Sequence, residues 1–209
     1  MNEQKGNKKI HYMWPVVLQE ENIGVRQEYI DYVKGIDYKR VKQDNGSCST
    51  DYDLLDNEVF KDLKETIINR SEFYLQDLFS QKKLELEIIA SWCMKHKKGD
   101  FAQPHYHHNS YLSGVYYLQS DEHTGRLLFQ RDDKENTLND TIKPDVWRWN
   151  DINGGTYYID AEPGNLIIFP SRLVHETHIN KSELDRYCIA FNIMPRGLLG
   201  VTDHKWYIR

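Results

Sequence analysis

The stretch His105-Tyr106-His107-His108-Asn109-Ser110 sets two imidazoles one residue apart, directly before the run Tyr111-Leu112-Ser113-Gly114-Val115-Tyr116-Tyr117-Leu118. In an extended chain residues i and i+2 face the same way. His105 and His107 can therefore aim at one point while Tyr106 and His108 turn away. Such a pair can hold a transition metal, and imidazole suits zinc, copper, iron and nickel. A third ligand has to come from a distant segment, and Pro170-Ser171-Arg172-Leu173-Val174-His175-Glu176 offers His175. Further on, Arg186-Tyr187-Cys188-Ile189-Ala190-Phe191-Asn192 alternates, with Arg186, Cys188, Ala190 and Asn192 on one face. A guanidinium turned into a barrel is costly unless an anion meets it, and its fork matches a carboxylate.

The elements that must position these residues are mostly strands. Apolar alternation and β-branched runs predict strands over 84–94, 104–107, 112–119, 125–130, 156–160, 165–170 and 186–194. His105 and His107 then fall on the 104–107 strand, and His175 just past the 165–170 strand. Two helices precede them. One covers 20–34, with Ile23, Ile30 and Val33 apolar and Gly35 as its stop. The other starts at an Asp56 or Asn57 cap and runs about six turns through Phe60, Leu63, Ile67, Tyr74 and Leu78. Residues 10–18, with Pro15 inside, read as a short edge strand, and residues 1–9 as a polar tail. Residues 131–155 read as a long insertion whose Trp147-Arg148-Trp149 cluster suits a lid over a substrate. Helices followed by many short strands give a mainly β fold, a sandwich or barrel with helices on one face. The expected layout is a single domain over 1–209: tail and supporting helices to 83, a core over 84–196, and an extension over 197–209.

Composition narrows the classes. A net charge of −5 argues against a broad basic surface for nucleic acid. No apolar run is long enough for a bilayer, and no secretory leader is seen, so a cytoplasmic setting is expected. Cys48, Cys93 and Cys188 are widely spaced, with no CxxC pair, which excludes a zinc ribbon or disulfide framework.

Taken in order, His105-x-His107, Ser113-Gly114-Val115-Tyr116-Tyr117-Leu118, the Gly125 to Phe129 strand, Pro163-Gly164, Phe169-Pro170-Ser171 with His175, and Arg186 resemble the Fe(II)/2-oxoglutarate-dependent oxygenases, in their prolyl-hydroxylase-like branch. The likeness covers roughly residues 84–196. It implies a double-stranded β-helix, or jelly roll, packed on N-terminal helices, with Fe(II) in its mouth and 2-oxoglutarate and O₂ as co-substrates. His105 and His175 match the two histidine ligands, and His107 stands where most of the superfamily has a carboxylate. Arg186 matches the residue that pairs with the distal carboxylate of 2-oxoglutarate. Cys188 falls where the motif has a hydroxyl, and Tyr117 matches a tyrosine that bonds the same carboxylate. The implied activity is hydroxylation of a small molecule or peptide, with release of succinate and CO₂.

Two rival readings follow from the same residues. Three imidazoles also suit a cupin-like dioxygenase acting on a chelating substrate without the keto acid. A jelly roll that only binds a ligand or partner is the third. His108 and His178 are expected at the surface, and Arg186 could instead pair with Asp185 or Glu162.

Overall fold

The computed structural model describes residues 9, 15–41, 45–79, 81, 83–131, 145, 147–150, 153–200 and 204–208. Its scaffold is a pair of antiparallel sheets. Strands β1 (Gln19–Asn22), β2 (Tyr38–Arg40), β3 (Ser47–Ser49), β4 (Glu85–His96), β5 (Leu112–Gln119), β8 (Asn165–Pro170) and β10 (Arg186–Leu199) form the larger one, in the order β1-β8-β5-β10-β4-β3-β2. The far end of β10 also pairs with β11 (Trp206–Ile208). The smaller sheet runs β7 (Thr156–Ile159), β6 (Leu127–Gln130), β9 (His175–Thr177).

Period-two alternation in β10 explains the layering. Tyr187, Ile189, Phe191 and Ile193 enter a core with Phe60, Leu63, Ile67 and Tyr74 of the helical layer. Cys188 enters the other core with Val115, Tyr117, Ile167 and Phe169, closed by Leu127, Phe129 and Ile159 of the smaller sheet. The fold is the expected mainly β jelly roll with helices packed outside its larger sheet. Gly114 is required by close approach: a Cβ there would lie 2.2 Å from Phe191 Cζ and 2.6 Å from Ile167 O.

Several local expectations change. Residues 104–107 form no strand; His105 makes a single bridge to His175. Of the proposed 10–18 edge strand, residues 10–14 lie outside the described residues and 15–18 carry no regular structure. The edge strand is β1, where pairing with β8 takes residues 20–22 from the expected helix start. The helix is therefore α1 (Gln27–Gly35), and Gly35 is its last helical residue rather than a left-handed cap, with extended Ile36 after it. Neither Asp56 nor Asn57 caps the second helix by its side chain. Asp56 pairs with Lys64, and Asn57 Nδ2 donates to Leu54 O and Asp51 Oδ2. A short 3₁₀ turn (Glu58–Phe60), α2 (Lys61–Phe73) and a π turn (Tyr74–Leu78) follow one another. Much of the 131–155 insertion lies outside the described residues.

Candidate metal centre

His105 and His175 are joined backbone to backbone: His105 N–H donates to His175 O at 3.0 Å, and His175 N–H to His105 O at 2.8 Å. The segment before β5 thereby extends the smaller sheet beside β9. His107 follows, its N–H held by Ser171 O at 2.9 Å. The chain then turns at Asn109, φ 52°, an αL position that Asn tolerates. The three side chains converge, each offering a ligand atom within 4.8 Å of the others. Metal–imidazole bonds of about 2.1 Å ask for nitrogen separations of roughly 3–4 Å.

Hydrogen bonds decide which nitrogens face the centre. His105 Nδ1 lies 2.7 Å from Gln103 O and His175 Nδ1 lies 2.9 Å from Leu173 O. A carbonyl only accepts, so both rings carry their proton on Nδ1 and present a bare Nε2. His107 Nδ1 lies 2.6 Å from Asn192 Oδ1, which also leaves Nε2 toward the centre. Burial pushes His175 down to about 3, helped by His105 and His107. Burial also lowers His107. Neutral imidazole is the form that binds a metal. Trp92 stacks on His107 at 5.7 Å, and Tyr52 leans on Trp92 at 6.1 Å. Phe129 and Phe169 flank His175.

Arg186 starts β10 opposite His96 of β4. It is fully buried, the largest such side chain among the described residues. Its Nη1 donates to Thr124 O at 2.7 Å and its Nη2 to Thr177 Oγ1 at 2.9 Å, while Nε has no partner among the described residues. Among the described residues no carboxylate forms an ion pair with it; Asp185 instead pairs with Lys95 at 3.3 Å. Thr177 and His175 are two residues apart on β9, so the guanidinium lies one pleat repeat, about 7 Å along the strand, from the imidazoles. Cys188 and Tyr117 are cross-strand partners in the same inner cluster. Burial raises both, and the charge of Arg186 opposes it, with Cys188 reaching about 11. His96 is pushed down to about 3 by burial, then by Arg186, and neither ring nitrogen has a hydrogen-bond partner among the described residues.

Of the six residues expected from the sequence, His175, Arg186, Tyr117 and Cys188 are buried, His107 is half-buried and His105 is exposed at the edge of the cluster. His108 is exposed against Tyr106 at 4.5 Å, and His178 is exposed beside Tyr158. Trp147 and Trp149 are exposed and make no ring contact with the histidines. Sequence reasoning assigned no role to Asn192, Trp92 or His96. The alternation that put Asn192 on the Arg186 face was the available signal, and the β4 alternation would have done the same for Trp92 and His96, which pair with Ala190 and Arg186.

Residues 90–192 match the model of a family described as "Putative 2OG-Fe(II) oxygenase". No curated protein matches in sequence. Among solved structures, a Pseudomonas putida prolyl-4-hydroxylase superposes with TM-score 0.58 at 13% identity, over 87% of this chain and 94% of its own. The non-heme alpha ketoglutarate dependent epimerase SnoN from nogalamycin biosynthesis gives 0.59 at 13%, over 86% and 78%. HygX from Streptomyces hygroscopicus, with nickel and 2-oxoglutarate bound, gives 0.56 at 14%, over 86% and 83%. At these identities the structural likeness concerns the fold.

Proposed function

The chain belongs to the Fe(II)/2-oxoglutarate-dependent oxygenase superfamily, and from that premise we propose that it is a dioxygenase that holds Fe(II) on Nε2 of His105, His107 and His175 and oxidises a small molecule or peptide, most simply by hydroxylation. The observation that carries the reading is Arg186: a guanidinium fully buried without an anionic partner among the described residues, one pleat from the imidazole cluster of His105, His107 and His175. Burying that charge unpaired costs several kcal/mol, and a dicarboxylic keto acid spanning from the imidazoles to Arg186 would offset the cost.

The donor set fits a non-heme iron that keeps open positions. When bound, the iron supplies oxidative decarboxylation of 2-oxoglutarate with O₂, giving succinate, CO₂ and an oxidant for a substrate C–H bond. The chain supplies the rest. Arg186 Nε, with no other partner, meets the distal carboxylate. Tyr117 and Cys188 wall the keto acid on the β5 and β10 side. Phe129, Phe169 and Leu127 keep water out. Trp92 and Tyr52, both partly exposed, form an aromatic border beside His107 against which a substrate can lie.

His107 in place of a carboxylate favours one alternative, a three-histidine dioxygenase whose substrate chelates the metal without a keto acid. One titration separates the two. Fe(II) and 2-oxoglutarate added without oxygen should produce the weak visible charge-transfer absorption of a keto-acid chelate, and Arg186→Met should abolish it while leaving metal stoichiometry at one. Stoichiometric iron without that absorption would sink the keto-acid reading and leave the alternative.

A further inference from the structure

Two of the three imidazoles are fixed by backbone carbonyls, which cannot change role. The third is not. His107 Nδ1 faces the side-chain amide of Asn192 at 2.6 Å, and an amide can present either oxygen or nitrogen after a half-turn about its last bond. Which end faces His107 decides where that ring keeps its proton. With the oxygen inward, His107 is protonated on Nδ1 and Nε2 is bare. With the nitrogen inward, Nδ1 accepts and the proton moves to Nε2, the atom aimed at the centre.

A chain of serines favours the second arrangement. Ser110 Oγ lies 2.8 Å from Leu112 O, Ser171 Oγ lies 2.8 Å from Ser110 Oγ, Ser113 Oγ lies 2.8 Å from Ser171 Oγ, and Ser113 Oγ lies 2.8 Å from Asn192 Oδ1. Four contacts share three hydroxyl protons. Leu112 O can only accept, so Ser110 donates to it, Ser171 to Ser110 and Ser113 to Ser171. The contact between Ser113 and Asn192 is then left without a proton while Asn192 offers oxygen. Ser113 is fully buried and Ser171 nearly so, while Ser110 and Asn192 at the two ends of the chain are half-buried. Turning the amide completes the chain and gives its NH₂ two acceptors, Ser113 Oγ and His107 Nδ1. As placed, that NH₂ has no protein partner among the described residues and is open to solvent.

We propose that Asn192 is a two-position element coupling the serine chain to ligation by His107. In the metal-free protein the amide nitrogen faces Ser113 and His107. Metal binding turns the carbonyl inward, frees Nε2 and opens one hydrogen bond in the serine chain. Asn192 is a positioning residue, since it acts through His107. The inference rests on the proposed function only in taking His107 as a ligand.

The test reads the ring directly and needs no turnover. Long-range ¹⁵N–¹H spectra of the metal-free protein should show His107 protonated on Nε2 and His105 on Nδ1, the latter serving as internal control. Co(II), followed by its visible ligand-field absorption, should bind Ser113→Ala about fivefold more tightly than the wild type, because the opened bond costs about 1 kcal/mol and that variant has no such bond to open. Asn192→Asp, which only accepts, should tighten binding further and move the metal-free His107 proton to Nδ1. Asn192→Ala should weaken binding by about 10–100-fold, the usual effect of losing a ligand's hydrogen-bond partner. A His107 proton on Nδ1 in the metal-free wild type, or Co(II) affinity in Ser113→Ala equal to or below that of the wild type, overturns the proposal. Failure of the wild type to bind Co(II) at all would instead overturn the metal site itself.

Discussion

The buried histidine opposite Arg186 makes acid stability measurable one residue at a time. His96 is 2% exposed and its folded pKa is held near 3; in the unfolded chain it returns to about 6.5. A depressed folded pKa means that the unfolded state binds the proton first. Stability is therefore full above about pH 6.5 and falls as the pH drops toward 3. At pH 5.0 the loss for one such group is roughly 1.4 kcal/mol for each of 1.5 pH units, or about 2 kcal/mol. His175 has the same depressed value when no metal is bound and contributes a second loss of about 2 kcal/mol. The lowered carboxyl of Asp100 titrates below its ordinary 3.8 and stays outside this window. His107, also lowered by burial, adds to the loss in the same direction, so urea unfolding of chelator-treated protein at pH 7.0 and 5.0 should show a wild-type loss of about 4 kcal/mol or more and a loss smaller by about 2 kcal/mol in His96→Leu. The comparison is internal to each protein, so a general effect of the substitution cancels. Equal losses in the two proteins would refute the assignment of a neutral, desolvated ring at position 96.

Three further outcomes follow from the same geometry. Arg186→Lys keeps the charge but not the fork that reaches Thr124 O and Thr177 Oγ1; calorimetric affinity for 2-oxoglutarate on the Fe(II) protein should fall by about 10–100-fold, in keeping with loss of one charge-assisted hydrogen bond. Gly46→Ala places a methyl group 2.6 Å from His96 Cδ2 at a residue with φ of +82°; urea unfolding should show about 2 kcal/mol or more of destabilisation. Fe(II) at about a hundred times its dissociation constant adds about 2.7 kcal/mol of stability, raising Tm by several degrees in scanning calorimetry, and His175→Ala should lose that rise.

The strands that carry the site were legible because burial on both faces leaves a strong mark. Leu166-Ile167-Ile168-Phe169 and Ser113 to Leu118 are almost wholly buried in β8 and β5, and such runs have few other readings. The edges were not legible. Gln19-Glu20-Glu21-Asn22 and Tyr38-Lys39-Arg40 become strands through pairing with β8 and β3, with no apolar alternation of their own. The histidine pair was found on a mistaken premise. His105 and His107 share a face not because a strand carries them but because backbone bonds to His175 and Ser171 pin each in turn. The proton bookkeeping around His107 lay beyond sequence altogether, since it depends on Ser110, Ser113 and Ser171 meeting across three segments.

The reciprocal backbone bonds between His105 and His175 bear on kinetics as well as geometry. In the proposed site two of the three donors are already assembled when the chain has folded, so an incoming ion would meet a ready bidentate grip with little chain entropy left to overcome. Capture should be fast, while escape waits on the single arm that can let go. Exchange rates would then report the swing of one imidazole, not the breathing of the whole barrel.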